Sequence, residues 1–316
     1  MTELRCLTDN ELALIQPLFA SVFGSSISLA LLQWKYAQGR GSAWTLWQED
    51  ILLMHCGLCL REVLLQGKRV LAAQLVDLMA APKPAGLSRQ TSPFAVLMRH
   101  VLAQLPSPAN PDGVAFGFPS ARAMRLGEHA GVYCAVDQWM ALEFGPQQMR
   151  LGPRASEIVT WGARETLAAN ALWSRMRADL AAYVVGVRDV DYLHHRYLMH
   201  PHKLYRVLLV ESRWRRQAMG LLVIGPGTGG DELLDVICAW DDMAEVLLAA
   251  RRWLHETGGQ RLTLNLTSHF GQQLAALSDG CTATQFRIMA NPQTPAATLK
   301  KLDRRWWLTG GDTDYR

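Results

Sequence analysis

Hydrophobic positions near the start of the chain follow two periods in turn. Between residues 9 and 23 they fall at Leu12, Ile15, Leu18, Phe19 and Val22, one face of a helix, with Asp9 or Asn10 placed to cap it and Gly24 to end it. A second helix is predicted over residues 28–36. The period then shortens. Near-continuous apolar runs at 43–47, 52–65 and 70–79, parted by turn signals at Glu49-Asp50 and Gln66-Gly67, predict an antiparallel meander of three strands. The third run holds one carboxylate, Asp77, and otherwise suits a strand buried on both faces. A loop with two prolines, Lys83, Gly86 and Arg89 comes next. Helical spacing resumes at Phe94, Leu97, Met98, Val101, Leu102 and Leu105, where Ser92 can cap and Pro93 suits the first turn. Such a strand, basic loop and helix N-terminus can hold an anion, because the first helical N–H groups lack partners and the dipole favours negative charge. An ordinary strand-to-helix connection with two solvated cations has the same pattern. After a polar, proline-rich stretch at 106–113, a strand is predicted at 114–118, a short helix at 122–129 and a final strand or pair at 133–144.

The second half repeats the plan. Leu32-Gln33-Trp34-Lys35-Tyr36 matches Leu193-His194-His195-Arg196-Tyr197 as Leu, two residues, a cation and Tyr. The strand at 43–47 matches 204–210, Gly57 matches Gly220, and Asp77 matches Asp235, each inside an apolar run. The helix from Thr91 matches 243–256, and Ser120 matches Ser268. The matches keep their order at an offset of about 150 to 165 residues, the signature of repeated units. Two similar α/β domains are therefore expected, residues 1–147 and 148–316, joined near 145–153. They differ after the aspartate. Asp77 precedes the long basic loop, whereas Asp235 precedes only Cys238-Ala239-Trp240-Asp241-Asp242, whose acids would repel a pyrophosphate. Gly225-Pro226-Gly227-Thr228-Gly229-Gly230 falls between two strands with no helix behind it and reads as a hairpin, not a phosphate cradle.

Composition narrows the classes. A hydrophobic fraction of 49% and a charged fraction of 19% fit a globular chain, and a net charge of +4 gives no dense basic stripe for nucleic acid. The N-terminus lacks a signal-peptide pattern and no apolar run is long enough to span a membrane. Six scattered cysteines point to free thiols in a reducing, cytoplasmic setting. Cys56 and Cys59 have metal spacing but sit in a strand, where residues three apart face opposite ways. His194, His195, His200 and His202 invite a metal reading, against which stand a surface role and the lack of a carboxylate partner in sequence. No metal is expected. Trp161, Trp173, Trp306 and Trp307 read as packing groups.

The order of helix, helix, three-strand meander, basic loop with helix, strand, helix and strand resembles the GCN5-related N-acetyltransferase fold in a tandem arrangement. The likeness rests on Leu18-Phe19-Ala20-Ser21-Val22-Phe23-Gly24, Trp34-Lys35-Tyr36, Asp77-Leu78-Met79-Ala80-Ala81-Pro82, Phe116-Gly117-Phe118-Pro119-Ser120 and the stretch from Leu126 to Tyr133. It implies an α/β (α+β) chain of two domains, each a mixed, mostly antiparallel sheet flanked by helices. It implies further that acetyl-coenzyme A or another acyl-coenzyme A is co-substrate. Its pantetheine would meet the backbone of Leu78, Met79 and Ala80, and its phosphates the loop of Lys83, Gly86, Arg89, Gln90 and Ser92. That loop departs from the family pattern, keeping a cation and one glycine. Tyr133 sits where the family often keeps its acid, against which stands a core or edge tyrosine. Asp77 could serve as a base if it lies at the strand splay, where a desolvated carboxylate has a raised pKa, against which stands a structural carboxylate bonded to a neighbouring strand or loop. The acceptor would be a small-molecule or peptide amine. Asp312, Asp314 and Arg316, in a tail anchored by Trp306-Trp307-Leu308, are expected to border the acceptor cleft of the first domain, while the second domain takes no cofactor. Two alternatives stay open: a catalytically silent binding or scaffold protein of the same fold, and an aminoacyl transferase of the peptidoglycan-bridge type.

Overall fold

The computed structural model describes residues 2–82, 92–227 and 229–313. In chain order the elements are β1 (Thr2–Leu7), α1 (Gln16–Phe23), α2 (Leu29–Tyr36), β2 (Gly41–Gln48), β3 (Ile51–Leu65), β4 (Lys68–Ala80), α3 (Pro93–Ala103), β5 (Ala115–Gly117), α4 (Ala121–His129) and β6 (Cys134–Phe144). There follow β7 (Arg154–Glu157), α5 (Ala163–Asp179), β8 (Val184–Gly186), α6 (Val190–Leu193), β9 (Arg206–Glu211), β10 (Ala218–Gly227) and β11 (Gly230–Cys238). The chain closes with α7 (Met243–Glu256), β12 (Leu262–Thr267), α8 (Ser268–Leu274), β13 (Gly280–Ala290), α9 (Ala296–Leu302) and β14 (Trp306–Trp307). Two compact units result, residues 1–63, 70–136 and 286–300 in one and residues 64–69, 137–285 and 301–316 in the other. Among the described residues no helix is long and apolar enough to cross a membrane.

In the first unit the strands run β1-β2-β3-β4-β5, and the end of β13 pairs antiparallel with β5 through Met289 and Ala290. The predicted meander is β2-β3-β4. The pattern predicts no element for residues 2–7, yet they form an edge strand paired antiparallel with β2 from Thr2 opposite Gln48 to Leu7 opposite Ala43. Their mostly exposed side chains left no apolar rhythm to read. The helix expected over 9–23 is divided into a 3₁₀ turn (Leu12–Ile15) and α1, because Pro17 lacks an N–H and fits only a helix's first turn. Gly24 ends α1 in the left-handed region at φ +69°. One face of the sheet packs Cys56 and Leu75 against Met98 and Val101 of α3, and the opposite face packs Cys59 in a core with Leu18 of α1 and Leu32 and Tyr36 of α2. Leu97, Met98, Val101 and Leu102 of α3 are fully buried, each contributing about 2 kcal/mol of burial. Cys56 and Cys59 thus lie in opposite cores.

In the second unit the order is β12-β11-β10-β9-β7, with the 137–144 part of β6 beyond β12, pairing Trp139 to Phe144 with it. The wiring matches the first unit. An antiparallel meander (β9-β10-β11) leads to a helix (α7), and the next strand (β12) lies parallel to β11 as β5 does to β4. Gly227 opposite Gly230 closes the predicted β10–β11 hairpin. In each unit the strands are mixed and mostly antiparallel, with helices flanking them, and all belong to one sheet, so the chain is α/β as its periodicity predicts.

Candidate active site

The site is set by where β4 parts from β5. The two pair in parallel only from Ala73 to Leu75, opposite Ala115 to Gly117. Two residues later Asp77 sits at φ +46°, a left-handed conformation inside a strand. For a residue with a Cβ this costs about 1–3 kcal/mol and persists only where neighbours fix it. The fixing groups are plain. Lys35 Nζ donates to both Asp77 carboxylate oxygens at 2.8 and 2.9 Å, and the Tyr36 hydroxyl donates to one of them. Gly57 lets that hydroxyl through, since a Cβ there would overlap it. The Asp77 carbonyl accepts from His55 Nδ1 at 2.8 Å, which puts the imidazole proton on that nitrogen.

Burial alone would raise the Asp77 pKa, but the Lys35 charge, its hydrogen bonds and the Tyr36 hydroxyl outweigh it, and the carboxyl stays below its ordinary value. Burial pushes His55 the other way, toward the neutral ring. The neighbouring Cys56 thiol is pushed up to about 12 by burial and by the Asp77 charge. It is not a thiolate nucleophile.

Tyr133 precedes β6 and is buried, edge-on to Phe94 with ring centroids 5.9 Å apart. Gly127 of α4 makes its seat, because a Cβ there would run into the ring. Burial, and then Cys56, raise the phenol above its ordinary value, so it is a neutral donor at working pH. Its ring belongs to the core beneath α3, whereas Tyr36, the partner of Asp77, belongs to the core beneath α1 and α2. Among the described residues no hydrogen bond joins Asp77 to Tyr133.

Leu78, Met79 and Ala80 end β4 past the last residue paired with β5. Ser92 caps α3, its hydroxyl oxygen accepting from the Ala95 N–H at 3.3 Å, with Pro93 first in the helix. Lys83, Gly86, Arg89 and Gln90 lie outside the described residues, as do Asp314 and Arg316. Asp312 is buried in the second unit, bonded to Arg188 and to the Thr309 N–H at 2.8 Å. His194, His195 and Arg196 follow α6 in a π-helical turn, and the described residues hold no group of three metal ligands.

The second unit has the same parting of strands, but its gap is filled. β11 pairs with β12 only through Asp231 and Glu232. Beyond that point the chain's own C-terminal segment lies against β12, with Thr309 bridging Leu266 and the Thr267 N–H donating to the Leu308 carbonyl at 3.3 Å. Asp235 accepts from Thr309 Oγ1 at 2.9 Å, Tyr192 at 2.8 Å, Arg188 Nε at 3.0 Å and Tyr197. Arg196 ties down the Gly311 and Thr313 carbonyls at 2.9 and 2.8 Å. A Cβ on Gly311 would strike both Tyr197 and Asp235.

Sequence reasoning missed two partnerships here. It matched Lys35 and Tyr36 to Arg196 and Tyr197 without seeing that the tyrosines reach the two aspartates; the signal was a recurring cation-Tyr pair beside a recurring buried acid. It also did not foresee that Arg188, not Arg196, supplies the cation for Asp235. Nothing in the local sequence marks Arg188, which reaches that acid only through the fold.

No family model matches the chain, and no curated protein matches it. Solved structures do. A protein of unknown function from Enterococcus faecalis, described as a probable N-acyltransferase, aligns at TM-score 0.69 and 12% identity over 92% of this chain and 72% of its own. A GCN5-related N-acetyltransferase from Anabaena variabilis aligns at 0.67 and 10% identity, over 93% and 73%. N-myristoyltransferase from Saccharomyces cerevisiae, with bound myristoyl-CoA and inhibitors, aligns at 0.57 and 7% identity, over 92% and 80%. At these identities the likeness is one of fold, and the fold of this chain is that of the GCN5-related N-acetyltransferases.

Proposed function

We propose that the chain is an acyl-coenzyme A dependent N-acyltransferase whose first unit binds the thioester and whose second unit takes no cofactor. One observation carries the reading: β4 leaves β5 after Leu75, and the capped N-terminus of α3 begins after the loop that follows β4. The gap suits an extended pantetheine pairing with the backbone of Leu78, Met79 and Ala80. Lys83, Gly86, Arg89 and Gln90 would supply cations and N–H groups for the phosphates. Ser92 contributes as the residue that fixes the helix start. In the second unit the matching gap holds residues 308–313, which supports the absence of a coenzyme site there. In this proposal the chain is two copies of one plan, residues 1–147 and 148–316, and acts in a reducing cytoplasm that keeps its cysteines free.

The reaction joins the acceptor amine nitrogen to the thioester carbonyl carbon and breaks the carbon–sulfur bond. The amine loses a proton and the departing sulfur needs one. Tyr133, held neutral by burial, is our candidate donor to that sulfur. Asp77 is a weak proton acceptor because Lys35 and Tyr36 occupy its carboxylate. Its proposed part is to hold the left-handed turn of β4 at its own position, and the amine proton then leaves to water, with Asp314 and Arg316 as acceptor-site candidates. Acetyl is the proposed acyl group and a small-molecule or peptide amine the proposed acceptor.

The occupied Asp77 carboxylate also favours a second reading, a protein that binds acyl-coenzyme A without turnover. Incubation with acetyl-coenzyme A and a panel of amines and peptides, read by release of free coenzyme A thiol, decides between them. Thiol release that falls about 10²-fold in Tyr133→Phe supports the enzyme. Binding without release for any acceptor supports the silent protein.

A further inference from the structure

The second unit carries a cavity that the acyltransferase reading does not use. Its volume is about 450 Å³, and its lining includes Arg150, Arg154, Arg213, Arg216 and Arg252 with one carboxylate, Glu211. All belong to the same compact unit. Exposed arginines are common, but here five guanidinium groups converge on one concavity, where each repels the others. The acids nearby are already engaged. Glu211 takes Arg164 at 2.5 Å, and Glu256 takes Arg252 at 2.9 Å and Arg154 at 3.7 Å. That leaves Arg150, Arg213 and Arg216 with no carboxylate partner among the described residues.

The arrangement is also held in place. Between β9 and β10 the chain turns tightly, with the Ser212 N–H donating to the Gln217 carbonyl at 2.9 Å and the Arg216 N–H to the Ser212 carbonyl at 3.1 Å. Arg216 sits there at φ +47°, a conformation unfavourable for a side-chain-bearing residue. Arg213 donates to the Arg150 carbonyl at 2.6 Å and lies over the ring of Trp214, 5.1 Å from its centroid. Two separate stretches, 150–154 and 212–216, are thereby joined with their cations on one hollow.

We propose that this hollow binds a small ligand carrying two or more linked phosphate groups. The planar fork of arginine matches phosphate oxygens in pairs, several guanidinium groups suit a multiply charged anion better than a single carboxylate, and the volume is that of a small-ligand site. The phosphates belong to a nucleotide or to inorganic pyrophosphate, which share this chemistry.

The test is calorimetric titration of the full-length protein with sodium pyrophosphate and, separately, with ADP. The wild type, Arg150→Ala/Arg216→Ala and Lys83→Ala/Arg89→Ala are compared at fixed ionic strength. We expect a saturable pyrophosphate site weakened about tenfold for each guanidinium removed in the first variant and still present in the second, which takes away only the phosphate contacts proposed for the coenzyme loop and in which the ADP and pyrophosphate affinities are compared. Both altered arginines are exposed, so the thermal midpoint of the first variant should stay at the wild-type value. Tighter binding of ADP than of pyrophosphate assigns the phosphates to a nucleotide, and the reverse assigns them to the inorganic ion. No saturable binding, or binding lost in the Lys83/Arg89 variant and kept in the Arg150/Arg216 variant, overturns the proposal.

Discussion

Lys35 and Asp77 form an ion pair with side chains only 4% and 7% exposed, in a chain whose other ion pairs are mostly at the surface. Such a pair adds little over a well-packed apolar couple, but breaking it strands a charge. Asp77→Asn should therefore destabilise the protein by about 3–5 kcal/mol, and adding Lys35→Met should recover much of that loss. Urea denaturation of the three proteins checks both statements. The pH dependence has a definite sign. The folded-state pKa of Asp77 lies below its ordinary value of 3.8, so its stabilisation is complete above that value and is lost as pH falls through the lower, folded value. The wild-type advantage over Asp77→Asn should hold from pH 7 to about 5 and shrink below about pH 4. An advantage that grows toward low pH would contradict the ion-pair account. At this scale the sequence told part of the story. A lone acid in an apolar strand must find a buried partner, and the cation-Tyr pair at 35–36 was visible as a repeat. Which cation meets which acid depended on long-range packing, as Arg188 shows.

At the scale of elements, the C-terminal segment matters most. It is short and glycine-bearing, and the sequence expects it anchored by Trp306-Trp307-Leu308; residues 308–313 are buried against β11 and β12 in the second unit. Gly310 and Gly311 allow that approach, because side chains there would collide with Glu232 and Asp235. Gly311→Val should cost about 3 kcal/mol through overpacking and lower the thermal midpoint by several degrees, while Gly280→Val, where a side chain would meet open space, serves as the control. A midpoint unchanged in Gly311→Val would mean the segment does not occupy the gap. The capped start of α3 was readable because Ser92 and Pro93 state it locally. The edge strand β1 was not, since its hydrogen bonds to β2 and not its side chains define it. The strand gap was equally hidden: the pairing of β4 with β5 ends at Leu75 opposite Gly117, where β5 itself ends, and the left-handed φ of Asp77 two residues later leaves no mark in a sequence where the residue is not glycine.

At the scale of the whole molecule, the two units share one wiring, and the strand gap is filled by the chain's own residues in the second. The account predicts a stoichiometry. Arg188 serves two carboxylates there, and burial together with the charge of Asp235 raises the Asp312 pKa even though Arg188 opposes it. This network commits the second gap to the tail, leaving one gap for an acyl-coenzyme A. Calorimetric titration of the full-length protein with acetyl-coenzyme A measures that directly. We predict one molecule bound per chain, lost in Lys83→Glu/Arg89→Glu and retained in Asp241→Ala/Asp242→Ala. No binding, two molecules per chain, or binding indifferent to the Lys83 and Arg89 substitutions would contradict the account.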